Sequence, residues 1–102
     1  MTMHVLIINF NLHELGHDQY ESACNELAPM FAGLPGLISK HWLANPETNT
    51  YGGVYVWESE QALLDYKESD IFKSIGANPN FANATVTDFG ILADASKVTR
   101  VG

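Results

Sequence analysis

Thr50–Gly76 reads TYGGVYVWESEQALLDYKESDIFKSIG. Val54, Tyr55, Val56 and Trp57 form a β-branched and aromatic run, the side-chain types that suit a pleated, packed surface. Gly52 and Gly53 precede it. Ser59 stops the strand and is placed to cap a helix, because its hydroxyl can accept a backbone N–H left free in the first turn. Glu60 then sets a negative charge at the positive end of the helix dipole, and Gln61, Ala62, Leu63 and Leu64 are good helix formers. The stretch predicts a strand that turns at once into a helix, with an aromatic side chain at the junction.

Working outward, His4–Leu12 is apolar on both alternating sets, Val5 and Ile7 on one face and Leu6, Ile8 and Phe10 on the other. A strand of that kind is covered on both sides. Asn9 breaks the Val5/Ile7 set, either as a strand-end polar group or as a functional amide. Asp18-Gln19-Tyr20-Glu21 has capping-box spacing and predicts a helix to about Ala32. Its apolar stripe is Tyr20, Ala23, Cys24, Leu27, Met30, Phe31 and Leu34. Pro29 predicts a kink in its last turns, and Cys24 on the stripe reads as a small buried hydrophobe. Leu37–Ala44 predicts a second strand with His41 and Trp42 on opposite faces. Asn45–Asn49 is turn-rich and makes a hairpin with a third strand, Tyr51–Glu58. The second helix is expected over Glu60–Glu68, followed by a short turn at Ile71–Ile75 that Gly76 stops. A fourth strand is expected over Ala82–Ala93, then a polar tail that is mobile or reaches over a partner.

The order is β-α-β-β-α-β, the ferredoxin-like arrangement of an α+β fold: a four-stranded antiparallel sheet with both helices on one face. The 102 residues suffice for one domain with a modest core. Two helices leave the other sheet face bare, so a homodimer through that open face is expected.

The composition excludes several classes. At 46% hydrophobic and 17% charged the chain is that of a folded globular protein. A net charge of −7 with five scattered Lys and Arg residues argues against nucleic acid and against anionic membranes. No apolar run approaches the ~18–20 residues of a spanning helix. The N-terminus lacks the features of a signal peptide. Cys24 alone builds no intrachain disulfide framework, so the cytoplasm is the expected compartment. His13 and His17 flank Glu14 in the order of a zinc-binding H-E-x-x-H motif, but that motif needs a helix. Gly16 puts the pair in a loop, where solvated histidines and no metal are expected.

The segments Glu26-Leu27-Ala28-Pro29, LPGLISKHW (Leu34–Trp42), GGVYVWESEQALLDY (Gly52–Tyr66) and VTDFG (Val86–Gly90) together resemble the YdhR-like monooxygenases of the dimeric α+β barrel superfamily. The resemblance spans nearly the whole chain. It implies a pocket between helices and sheet that oxidises aromatic substrates without metal or flavin, or that binds and degrades haem. The quinone-forming polyketide monooxygenases place an Asn, a Trp and a Tyr around the segment. Trp57 matches the Trp, whereas Gly53 stands at the Asn and Leu63 at the Tyr. The haem-degrading relatives use an Asn that Asn9 matches, a Trp replaced by Tyr66 and a His replaced by Gly76. Without the His ligand, haem is not expected, and no cofactor is.

The resulting expectation is a cofactor-independent monooxygenase for a small phenol or quinol. Asn9, His41 and Trp57 are its candidate catalytic residues. In this reading Asn9 holds an oxyanion and His41, if it points inward, is the base; His41 as an edge or interface residue and Trp57 as plain core stand beside it. Tyr51, Gly53, Tyr55, Tyr66 and Tyr20 are candidate substrate-binding residues, with Gly53 leaving room for a flat ligand. A non-catalytic small-molecule binder, or an isomerase or lyase on the same fold, is the alternative.

Overall fold

Residues 3–100 are described in a computed structural model of the chain. Strands β1 (His4–Leu12), β2 (Leu37–Asn45), β3 (Thr50–Trp57) and β4 (Phe81–Gly90) alternate with helices α1 (His17–Ala32), α2 (Glu60–Lys67), α3 (Asp70–Ala77) and α4 (Ala93–Val98). The strands form one open antiparallel sheet in the order β2-β3-β1-β4. This is the expected ferredoxin-like α+β arrangement.

Register decides which side chains meet. Leu6 pairs with Tyr55, Ile8 with Gly53 and Phe10 with Tyr51, so these residues share one face. They are buried there with Trp57, against Tyr20 and Phe31 of α1 and Leu63 and Tyr66 of α2. Each such side chain contributes about 1.5–3 kcal/mol on full burial. The opposite face carries Val5, Ile7, Val54 and Val56, all half-buried, and Phe89, which is 56% exposed.

Ser59 caps α2 as predicted, its Oγ accepting the Ala62 N–H at 3.2 Å. Several boundaries differ from expectation. Helix α1 begins at His17 because Gln19 Oε1 accepts the Gly16 N–H at 3.0 Å, which displaces the expected Asp18 cap. Pro29 lies inside α1 without ending it; the residue whose carbonyl it leaves without a partner, Asn25, is exposed to water. Ser69 caps a full helix, α3, which runs past Gly76 because Ile71, Phe72 and Ile75 all pack on the core. Strand β4 begins at Phe81, whose ring stacks on Phe10 at 4.3 Å, and ends at Gly90. The segment read as a tail then forms α4.

Gly52 is where β3 approaches β1 most closely. Its φ is +151°, and a Cβ there would overlap the Ile8 carbonyl oxygen. Gly52→Ala should therefore cost about 2–4 kcal/mol in urea unfolding. A loss below about 1 kcal/mol would show that the strands are not this close.

Candidate functional site

A cavity of about 310 Å3 lies between α1, α3 and the sheet. Ile71 and Ile75 of α3 are one turn apart and face it together. Cys24 and Leu27 of α1 form the opposite wall, and Trp42 and Tyr55 form the floor. Leu27 and Met30 also line it, which is why these members of the α1 stripe stay 45% and 44% exposed. Among the described residues no Asp or Glu lines the cavity, and its one cationic side chain is Lys40.

Lys40 sits on β2 opposite Tyr55, two residues before Trp42 and on the same face. Its Nζ is 3.4 Å from the Trp42 ring centroid, 3.6 Å from that of Phe31 and 4.5 Å from that of Tyr55. Three ring faces thus surround an amine for which no carboxylate partner exists among the described residues. Burial lowers its pKa from 10.5 to about 7, with the nearby Cys24 acting weakly in the other direction. A cation–π contact is worth about 0.5–2 kcal/mol, roughly one pKa unit, so the rings soften the drop without cancelling it.

Gly53 makes this placement possible. A Cβ there would stand 2.9 Å from Lys40 Cε and 3.1 Å from the Tyr55 ring edge. The room expected to admit a flat ligand is occupied by the lysine stem.

The phenols are held neutral. Burial first, and then the neighbouring Cys24, push Tyr20 far above its ordinary value. Burial and the adjacent Tyr66 do the same to Tyr55, and burial raises Tyr66. The Tyr66 hydroxyl donates to the Tyr55 hydroxyl at 3.5 Å. The Cys24 thiol is also raised by burial, against a lowering by its Tyr20 bond and by Lys40.

The eight candidate residues divide between the two sheet faces. Tyr20 and Tyr55 line the cavity. Tyr51, Gly53, Tyr66 and Trp57 share its side of the sheet but are core. Trp57 is 1% exposed, stacks on Tyr55 at 6.2 Å, and leaves its indole N–H without a partner among the described residues. Tyr51 places its hydroxyl 2.7 Å from His17 Nδ1, so His17 is a helix residue tied to the core and not a solvated loop histidine.

Asn9 and His41 do not meet the rest. Asn9 pairs with Gly52 and His41 with Val54, both on the face turned away from the helices. The Asn9 amide donates to the Tyr51 carbonyl at 3.4 Å, and His41 is exposed. Strand parity excludes both from the cavity. Lys40, which the sequence reading passed over, stands in its place one residue from His41. Its signal was Trp42: an inward Trp42 requires an inward Lys40.

The family profile described as "Putative mono-oxygenase ydhR" matches residues 5–102. Among solved structures, a Nitrosomonas europaea protein of unknown function superposes with a TM-score of 0.74 at 14% identity, covering 91% of this chain and 92% of that one. SnoaB, a cofactor-independent oxygenase from Streptomyces nogalater, gives 0.68 at 20% identity over 87% and 92%. A dimeric ferredoxin-like protein of unknown function from Thermobifida fusca gives 0.70 at 18% over 88% and 92%. At these identities the likeness establishes the fold. No curated protein matches the chain by sequence.

A half-buried ammonium with no counter-charge among the described residues has a pH signature. Below pH 7 Lys40 is charged in the fold and its burial penalty is full. Between about 7 and 10.5 the unfolded chain binds a proton that the fold does not, so stability rises with pH. Lys40→Met should therefore be more stable than wild type by about 1–3 kcal/mol below pH 7. That advantage should shrink as the pH approaches 10.5. A pH-independent difference in urea unfolding would show that Lys40 is not desolvated.

Proposed function

The chain belongs to the YdhR mono-oxygenase family, and we propose that it is a cofactor-independent monooxygenase for a small phenol- or quinol-like aromatic bound in the cavity between helices and sheet. The observation that carries this reading is an aromatic-floored cavity of about 310 Å3 that holds one amine and, among the described residues, no carboxylate. Such a site suits a flat apolar ligand with one ionisable oxygen. The reaction needs the substrate as an anion, because electron transfer to dioxygen is easier from an anion than from a neutral phenol. It also needs water kept away from the reacting carbon. One oxygen atom then enters the ring system as a carbonyl and the other leaves as water, the electrons coming from the substrate. Tyr20 and Tyr55 bring neutral hydroxyls to the site, and Trp57 backs Tyr55.

The second reading, a binder without turnover, draws its support from Asn9 and His41, which lie off the cavity face. Oxygen uptake with a panel of hydroquinones and anthrones separates the two. Uptake that proceeds without added metal or flavin is expected, with loss of at least tenfold in Tyr55→Phe/Trp42→Ala. Ligand-induced thermal shifts with no uptake would leave the binder.

We place a second copy of the chain on the bare sheet face. Val5, Ile7, Val54, Val56 and Phe89 form a continuous apolar patch there, and the Thermobifida fusca structure with this fold is described as dimeric. Two sheets face to face would complete the α+β barrel. The single cysteine fits a reducing compartment such as the cytoplasm. Light scattering should report a dimer for the wild type and a monomer for Val54→Asp; a folded wild-type monomer would refute the assembly.

A further inference from the structure

Lys40 is the only charged side chain lining the cavity among the described residues, and nothing there neutralises it. Its amine is enclosed on three sides by Phe31, Trp42 and Tyr55, and its stem passes over Gly53, where a Cβ would lie 2.9 Å from Lys40 Cε. A half-buried cation with aromatic faces and, among the described residues, no anion is half of an ion pair, and a ligand can bring the missing half. From this geometry we infer that Lys40 accepts the proton of a phenolic ligand and then holds the phenolate.

The step conserves charge. The ligand O–H bond breaks, a new N–H bond forms on Nζ, and a neutral amine and neutral phenol become an ammonium and a phenolate side by side. Beside apolar walls the two new charges attract more than they would in water, and the three ring faces favour the ammonium as it forms. The other titratable groups at the cavity do not compete. Tyr20 and Cys24 on α1 and Tyr55 on β3, with Tyr66 of α2 behind it, are all raised and stay protonated near neutral pH. Ser74 and Asn78, the polar contributions from α3 and its cap, do not titrate. His41 faces the other side of the sheet. An amine lowered to about 7 is free to take a proton at neutral pH, as an ordinary lysine is not.

The inference rests on the cavity being an aromatic site, and the test separates the two. The probes are meta-nitrophenol, whose phenolate is yellow, and meta-nitroanisole, which has its shape and no acidic proton. Both are titrated at a pH above the Lys40 midpoint of about 7 and below the pKa of free meta-nitrophenol, where amine and phenol both start neutral. Wild type should bind both, prefer the phenol several-fold, and turn it yellow. Lys40→Met should bind both alike and leave the phenol colourless. Circular dichroism confirms that the variant is folded. A colourless phenol on wild type, or equal colour on Lys40→Met, would overturn the role of Lys40 and leave the aromatic site standing. Wild type that binds neither probe would overturn both.

Discussion

The stem of Lys40 runs across Gly53, where a Cβ would lie 2.9 Å from its Cε. That crossing is fixed by the β2–β3 register, in which Lys40 faces Tyr55 and Trp42 faces Gly53. A slip of one residue would send Lys40 to the open face and bring His41 inward. The polar chemistry of the cavity therefore depends on a hairpin register, and the register is held by the apolar partners on both faces. Tyr51, Tyr55 and Trp57 anchor one side, and Val54 and Val56 the other.

The two faces of the sheet carry different tasks. On the helix side, β3 supplies bulky aromatics that α2 covers near Trp57, while α1 and α3 leave a gap over Trp42 and Tyr55. Large rings pack against one another at centroid distances of 5.0–6.2 Å around Tyr55 and Trp57, so the floor of the cavity is stiff. On the other side the sheet presents half-buried valines and an isoleucine. The amine is thus mounted on a rigid support, which a group that must meet a ligand proton requires.

Much of the fold was legible in the sequence, for physical reasons. The Ser59 cap between the Val54–Trp57 run and Leu63–Leu64 announced a strand entering a helix, and turn residues at Asn45–Asn49 announced the hairpin. The site was less legible because β1 is apolar on both faces. Val5 and Ile7 qualify as core as readily as Leu6 and Ile8 do, so periodicity did not say which set meets the helices. Placing Asn9 with Trp57 put one residue on the wrong parity, and His41 followed it. Size carried the missing information: Phe10, Tyr51, Tyr55 and Trp57 share a face, and the face that buries four aromatics is the one beneath the helices. Trp42 then assigns Lys40 to that face. The extent of α3 was obscured by Gly76, a poor helix former that the packing of Ile71, Phe72 and Ile75 overrides. The helix α4 was hidden in a segment too short and polar to show periodicity.

The central claim is that the fold half-buries Lys40 and encloses its amine among aromatic rings, with no counter-charge among the described residues. The most direct measurement is an NMR titration of the Lys40 Cε and Nζ resonances, assigned by comparison with Lys40→Met. The structure predicts a midpoint near 7, separated from the other lysines. A midpoint at the ordinary 10.5 would show an amine in contact with water, and would contradict the account.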